Sequence, residues 1–418
     1  MVSRLVLCLG LIPLVVSSGG VLAADDEILQ IVVSKSRQSL AVYRNGEQVA
    51  TSNVSTGKAG HSTPTGIFSI LEKRKYHESN IYSGSPMPFM QRLTWSGIAL
   101  HESKHVPAYP ASHGCVRLPG KFARTLFDMT ERGAHVVISD APVVPMPISH
   151  ALLFKPKAPT NDDTLLTDTA LRPTQVAIDG APVEVAANEI SRLPPPDAAR
   201  KTSNERPLRI LITRRSDRDQ IVDVQTLLNQ LGFEAGTPDG VAGRNTQIAA
   251  NAFRLAKALP AGKSVLEPGF LTALYAAAGK RAPPNGQLFV RQNFKPLFDT
   301  PVSIREPEKE LGTHLYLAVE ANAATGSADW TTISLENNLS DATLKRLGIT
   351  QRLGQLDMNA ATNALDRIEI PPEIRERVER SMVAGSSLTI TDNNLSPETG
   401  IGTDFVTVTH AAPAKPKG

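Results

Sequence analysis

Tyr109-Pro110-Ala111-Ser112-His113-Gly114-Cys115-Val116-Arg117-Leu118-Pro119 is the stretch on which the reading of this chain turns. The reactive form of cysteine is the thiolate, and at a free pKa of about 8.5 little of it exists at neutral pH, so a working thiol needs a nearby base or positive charge. A histidine stands two residues before this thiol and an arginine two after it. In an extended segment alternate residues share a face, so His113, Cys115 and Arg117 can point the same way. Gly114 permits close backbone approach, and the amides around Gly114 and Cys115 are expected to donate to a developing oxyanion. A second histidine, His101, follows the apolar run Gly97-Ile98-Ala99-Leu100, which would deliver it from the end of a strand. Spacing alone does not choose between the two histidines as base. The implied chemistry is acyl transfer: Cys115 attacks a carbonyl, a protonated histidine helps an amine depart, and a second amine or water releases the acyl-enzyme.

The competing readings are a structural histidine beside an inert buried thiol, and a metal site. A closed metal site needs about four ligands. His105, Glu102 and His77 are the other nearby candidates and show no recognised metal spacing, so neither metal nor cofactor is expected.

The chain of 418 residues is too long for a single ordinary core. Its 44 basic and 41 acidic residues leave a charge of +3, too near neutral to argue for nucleic acid. Residues 1–23 read as a secretory signal: Arg4 precedes an apolar run from Leu5 to Val16, and Val21-Leu22-Ala23 offers the cleavage site. That run, about twelve residues interrupted by Pro13, falls short of the roughly 20 that a spanning helix needs. With Cys8 removed, Cys115 is the lone cysteine in an oxidising compartment, where an unpaired thiol invites a catalytic reading. The mature chain is expected outside the cytoplasm, in the periplasm, with no integral membrane segment.

Four further units follow, with a tail. Residues 24–141 read as a mainly-β domain, with strands at Ser39–Tyr43, Gln48–Thr51, Gly66–Ile70 and His135–Ile138. Asn45-Gly46 is a two-residue hairpin signal, and one packed helix carries Phe122, Leu126, Phe127 and Met129. Residues 142–207 accumulate Pro, Ala, Asp, Thr and Asn and read as a largely extended linker. Residues 208–282 read as three short helices around one small core: Ile221, Val224, Leu228 and Leu231 share a face, Ile248, Ala252, Phe253 and Ala256 form a second helix, and Phe270, Leu271 and Leu274 a third. Residues 283–410 return to strands, and 411–418 are a tail.

The last large unit reads as a repeat of the first. At one constant spacing Leu288 falls on Leu40, Val290 on Val42, Asn293 on Asn45, Val302 on Val54, Thr313 on Thr65 and Tyr316 on Phe68. At a spacing slightly longer, Pro371 falls on Pro119, Gly385 on Gly133, Ile390 on Ile138 and Asp392 on Asp140. Opposite Ser112-His113-Gly114-Cys115 stand Ala364, Leu365, Asp366 and Arg367, so this copy lacks both nucleophile and base.

Ser112-His113-Gly114-Cys115-Val116-Arg117, with His101 upstream, resembles the signature of the L,D-transpeptidase (YkuD-type) catalytic domain family. Thr63-Pro64-Thr65-Gly66-Ile67-Phe68 and Met87-Pro88-Phe89 also look like elements of that family, and the resemblance covers about residues 27 to 140. It implies a β-sandwich with one packed helix. In it Cys115 is the nucleophile, His101 the general base held by a backbone carbonyl, and His113 with Gly114 a support for the oxyanion region. It further implies substrate contacts from Ser112, Met87, Phe89 and Arg117, the last binding a substrate carboxylate or ordering the loop. The implied substrate is the tetrapeptide stem of peptidoglycan, cleaved between the L-centre of diaminopimelate and the terminal D-Ala. The acyl group then passes to another diaminopimelate amine, with a lipoprotein lysine as another acceptor used in the family. L,D-carboxypeptidase or amidase action on the same stem, and a non-catalytic wall-binding scaffold, are the alternatives. In the helical unit, Val224–Asn229, Leu231-Gly232-Phe233 and Asp239–Thr246 with Phe253 are similar to three-helix peptidoglycan-binding domains, although Arg254 stands where that family usually has Gln. The resemblance implies glycan as a partner.

Overall fold

In the computed structural model, which describes residues 27–79, 84–158, 206–354, 359–400 and 402–410, the first sheet begins where the hairpin signal predicts. Strand β1 (Leu29–Ser34) pairs antiparallel with β2 (Ser39–Arg44), and β2 with β3 (Glu47–Asn53). Asn45 and Gly46 join the last two with φ of 49° and 86°, the left-handed pair that a tight hairpin requires. β4 (Thr65–Ser69) comes next in the chain. A second, smaller sheet is formed by β5 (Glu72–Arg74), β6 (Met90–Arg92), β7 (Ala99–Glu102) and β8 (Val116–Leu118). Helix α1 (Gly120–Met129) starts on the fixed backbone of Pro119 and buries Ala123, Leu126 and Phe127. β9 (His135–Ser139) then runs parallel to β1 and antiparallel to β4. Ile31, Val33, Leu40, Val42, Phe68, Leu93, Leu100, Val116, Leu118, Leu126, Val136 and Ile138 fill the space between both sheets and α1. Period-2 alternation makes this possible, because each strand sends every second side chain to that side.

A larger sheet occupies the C-terminal part. Its strands are β10 (Met146–Ile148), β11 (Leu208–Arg214), β12 (Gly286–Gln292), β13 (Lys295–Ile304), β14 (Thr313–Asn322), β15 (Ser327–Leu335), β16 (Ile368–Glu369) and β17 (Ser387–Thr391), in the spatial order β10-β15-β14-β17-β11-β12-β13-β16. Between β11 and β12 the chain leaves to form α2 (Asp217–Gln230), α3 (Arg244–Ala256) and α4 (Pro268–Ala277), which bury Val224, Leu228, Phe253, Phe270 and Leu274 together. A capping box at Ser216 and Asp219 fixes the start of α2. Helices α5 (Asp341–Leu347), α6 (Ala360–Asp366) and α7 (Pro372–Glu379) complete the unit, and β18 (Thr407–His410) returns to pair with β4 of the first sheet.

The two large sheets share a register. Ile31 lies opposite Val42 and beside Val136, and Ile210 lies opposite Val290 and beside Leu388. Phe68 lies opposite Val136, and Tyr316 opposite Leu388. The parallel pair β1 with β9 has its counterpart in the parallel pair β11 with β17. The sheets also touch: Val32, Tyr43, Ile67 and Val137 on the outer face of the first pack against Leu315, Ile333 and Leu335 of the second.

Two segments lie elsewhere than the sequence boundaries suggest. Leu208–Arg214, assigned above to the helical unit, is a central strand of the C-terminal sheet, because its near-continuous apolar run suits a strand covered on both faces. Part of the expected linker is built into the same unit: Met146 and Ile148 pair with Thr332 and Trp330, Leu153 and Phe154 are buried in the core, and Trp330 Nε1 donates to Phe154 O at 3.2 Å. The apolar triplet Leu152-Leu153-Phe154 outweighs the surrounding prolines. The remainder of the linker at 159–205, the signal segment 1–23 and the tail 411–418 lie outside the described residues. Among the described residues no helix is long and apolar enough to cross a membrane.

If residues 146–154 belong to that core, Phe154→Ala costs about 3–5 kcal/mol. Urea unfolding followed by tryptophan fluorescence, to which Trp330 in the same core contributes, measures this. A cost below about 1 kcal/mol, the level of an ordinary surface substitution, would remove the segment from the core.

Candidate active site

The strands β7 and β8 run parallel, with Leu100 beside Val116, His101 beside Arg117 and Glu102 beside Leu118. Leu100, Val116 and Leu118 are fully buried on the core side. Alternation therefore turns His101, Cys115 and Arg117 to the other side, on neighbouring strands. The sheet continues through Ser55, whose amide donates to Arg117 O at 3.1 Å and whose carbonyl accepts from Arg117 N at 3.0 Å.

The turn before the thiol is held by two hydroxyls. Ser112 Oγ accepts from Gly114 N at 3.1 Å and donates to Cys115 O. Thr63 Oγ1 accepts from Gly57 N at 2.8 Å and donates to Gly114 O at 2.7 Å, tying the segment at 57–63 to the turn. Gly114 has φ +119°, a conformation that residues with a Cβ rarely adopt, so the backbone calls for glycine; a Cβ there would also press on Ile98 Cδ1 at 3.0 Å. Gly114 N–H is committed to Ser112 in this resting arrangement, which differs from its expected place among the oxyanion donors. Ser112 is buried and serves the turn rather than an open substrate surface.

Cys115 is a free thiol, and its Sγ donates to Gly97 O at 3.3 Å. Burial pushes its pKa up, opposed by the Ala99 amide and by the positive charges of Arg92 and Arg117. His101 is buried, and burial pushes its pKa down to about 4. The Glu102 carbonyl pulls the value up and Arg117 adds to the depression. His101 Nδ1 lies 2.7 Å from Glu102 O. A carbonyl oxygen can only accept, so Nδ1 carries the hydrogen and Nε2 presents its lone pair. At neutral pH this imidazole is uncharged, the state in which it can take a proton. His113 is exposed and meets His61 edge to face, with ring centroids 4.7 Å apart. Its pKa is lowered by partial desolvation first, then by Lys58, His61 and Arg117.

Met87 packs with Met90 and Ala99 against Cys115. Phe89 goes elsewhere: its ring meets Phe127 of α1 at 5.7 Å and Arg124 at 5.2 Å, so it packs on the core rather than beside the thiol. Sequence reasoning missed Thr63, Ser55 and Gly97 as parts of the site. Thr63 opens the Thr63-Pro64-Thr65-Gly66 run, but hydroxyls that bond backbone leave no periodic mark in a sequence. Among the described residues no group of three or more His, Cys, Asp or Glu could hold a metal ion.

The site is thus set in a two-sheet domain, where a parallel strand pair puts a buried neutral imidazole beside Arg117 and turns it to the same side as a free thiol. Residues 29–138 match the family model described as YkuD, the L,D-transpeptidase catalytic domain. The curated relative L,D-transpeptidase 1 of Mycobacterium tuberculosis is 31% identical over an alignment of 117 residues that covers 24% of this chain and 47% of the relative. The chain thus spans about half the length of the curated relatives it matches. A crystal structure of M. tuberculosis L,D-transpeptidase 1 is 30% identical, covering 27% of this chain and 62% of that one, with a TM-score of 0.24. An L,D-transpeptidase from Stackebrandtia nassauensis is 28% identical, covering 27% and 56%, with a TM-score of 0.25. At such scores the superpositions add no argument.

Stability should fall in acid. His101 has a folded pKa of about 4 against an ordinary 6.5, so its share is whole above pH 6.5 and is lost as pH falls from 6.5 to 4. The loss is about 3 kcal/mol. Urea midpoints across that range measure it. The slope should shrink in His101→Gln, and an unchanged slope would mean that this imidazole titrates normally. Thr63→Val leaves the buried Gly57 amide unpaired and should cost about 1–3 kcal/mol while speeding alkylation of Cys115 by iodoacetamide.

Proposed function

We propose that the whole protein is a wall-acting L,D-transpeptidase that works through a Cys115 acyl-enzyme. The observation carrying this reading is the His101 tautomer: Nδ1 is tied to Glu102 O, and a lone pair is left on Nε2 beside the strand that bears the thiol. In the proposed cycle Cys115 Sγ gives its proton to His101 Nε2, and the sulfur attacks the carbonyl between diaminopimelate and D-Ala of a tetrapeptide stem. The protonated imidazole then returns the proton to the departing D-Ala amine, leaving a thioester. Charging a buried imidazole is costly, which favours prompt return of the proton to the leaving group. A diaminopimelate amine of a second stem, or a protein lysine, attacks the thioester, and the acyl group is transferred with release of the thiol. Arg117, beside His101 in the register, is suited to a substrate carboxylate, and Met87 lines the approach.

The rest of the chain fits a modular wall enzyme, exported with its signal cut after Ala23 and working in the periplasm. The C-terminal unit is read as a duplicated, catalytically silent copy. The shared sheet register supports this, as does Arg367 standing before β16 where Cys115 stands before β8. On this reading the helices α2–α4 are an insertion into the first hairpin of the copy. Their proposed role is glycan binding, which would raise the enzyme's effective concentration at a polymeric substrate. Within that unit the Asp239-Gly240 turn has a structural duty too: Gln225 Nε2 donates to Asp239 Oδ1 at 3.0 Å, and Gln225 Oε1 accepts from Gly240 N at 2.9 Å. Arg254 is likewise spent internally, on Ser264 O at 2.6 Å and Glu267 at 3.2 Å.

Mass spectrometry of muropeptides after incubation with tetrapeptide-bearing peptidoglycan tests the reading. A new dimer linked through two diaminopimelates, absent with Cys115→Ser, is the expected result. Loss of D-Ala without dimers would make the protein a carboxypeptidase, and no Cys115-dependent change would make it a scaffold. His101→Ala should lower turnover by about 10²- to 10⁴-fold and His113→Ala by less, and the reverse order would exchange their roles.

A further inference from the structure

A cavity of about 420 Å³ opens in the C-terminal unit, lined among others by Lys309, Glu310, Gln351, Arg352, Asn363 and Asp366. Its position follows from the register. β16 joins the edge of β13 through Ser303 opposite Glu369, just as Ser55 lies opposite Arg117 across the end of β3 and β8. Arg367 immediately precedes β16, as Cys115 immediately precedes β8. The cavity therefore lies in the copy where the thiol and its turn lie in the first domain.

The residue that replaces the thiol builds the wall of this cavity. Arg367 Nε donates to Arg305 O at 3.0 Å, Nη1 to Glu310 O at 2.9 Å, and Nη2 to Glu306 O and Lys309 O, both at 2.7 Å. One guanidinium thus fixes the whole segment 305–310 by its carbonyls, which is work for a permanent structural part. Behind it, Asp392 is fully buried, takes Arg214 Nε at 2.6 Å, and accepts from the amides of Leu311 and Gly312 at 2.8 and 2.9 Å. A vestige free of function has no need of so rigid a frame around an open space.

The lining carries both signs of charge. Lys309 and Arg352 supply cations, and Glu310 and Asp366 supply carboxylates. Glu310 is buried and oriented by Asn337 Nδ2 at 3.0 Å and Leu353 N at 2.9 Å. The other charges are paired at the surface: Arg352 with exposed Asp341, Lys309 with exposed Glu306, and the exposed Asp366 with the partly buried His150. Such exposed pairs contribute little and exchange readily for a ligand's charges. The volume is within the range of small-ligand sites.

We infer that this cavity is a non-catalytic binding site for a short peptide bearing both a free amine and a carboxylate, namely a second wall stem. This rests on the function proposed above. Arg352 and Lys309 take the carboxylate, Asp366 and Glu310 the amine, and no bond is made or broken. A polymeric wall carries many stems, so holding one in the copy raises the local concentration of others at Cys115.

The test uses the full chain with Cys115→Ala and a tetrapeptide stem bearing a photoreactive diazirine, with adducts located by peptide mass spectrometry. Two clusters are expected, one around residues 112–117 and one within residues 349–367. Arg352→Glu with Asp366→Lys, both exposed positions, should lower the second cluster about tenfold or more through loss of two charge-assisted contacts and leave the first intact. An unchanged urea midpoint shows that the variant folds. Labelling at 349–367 alone, lost in the double variant, would uphold this site while the proposed chemistry at Cys115 fell. Labelling only at 112–117, no labelling, or labelling at 349–367 that ignores the double variant would each overturn the inference.

Discussion

The parallel pairing of β7 with β8 is the constraint from which the site follows. It fixes His101 next to Arg117 and turns the thiol to the same side, while Leu100, Val116 and Leu118 anchor both strands in the core. Parallel strands cannot be joined by a tight turn. The connection from Glu102 to Val116 must therefore wander, and it is in this excursion that the Ser112–Cys115 turn is formed. Hydroxyls of Ser112 and Thr63 then do what regular hydrogen bonding cannot, holding irregular backbone in one conformation.

The electrostatics follow from the same burial. An imidazole stripped of water and bonded through Nδ1 is a neutral base, and a thiol stripped of water stays protonated. Both groups are therefore uncharged at neutral pH. Arg92 and Arg117 favour the sulfur's negative form, but burial outweighs them.

Much of this was legible in the sequence, for physical reasons. Asn45-Gly46 specifies a turn with two positive φ angles, which few other residue pairs allow, and the strands on either side follow from it. The Ser112–Arg117 run drew attention to Cys115 because reactive thiols need particular neighbours, and the structure leaves that thiol free. The hydroxyl of Thr63 was not legible, since it acts on backbone 51 residues away. Phe89 was misplaced because an aromatic next to a motif looks the same whether it faces substrate or, as here, Phe127. The domain boundaries at 142 and 208 misled for another reason. Composition reports the average of a stretch, whereas Leu153, Phe154 and Leu208–Arg214 are fixed by a core assembled from distant segments.

The exchange of strands between the two sheets has a consequence for how the chain must be made. The edge of β4 is closed by β18, and Thr409 Oγ1 donates to Thr65 Oγ1 across 344 residues of chain. Until that strand arrives, the first domain presents a bare ladder of amides and carbonyls, the usual invitation to mispairing between neighbouring molecules. Chain order thus sets a vulnerable interval during synthesis, when a nascent domain already holding its thiol still waits for its border. Residues Met146–Ile148 lend their strand to the other sheet in return, so neither half owns a finished sheet. The molecule is sealed as a whole, and quality control that recognises open sheet edges would act on the pair and not on either half.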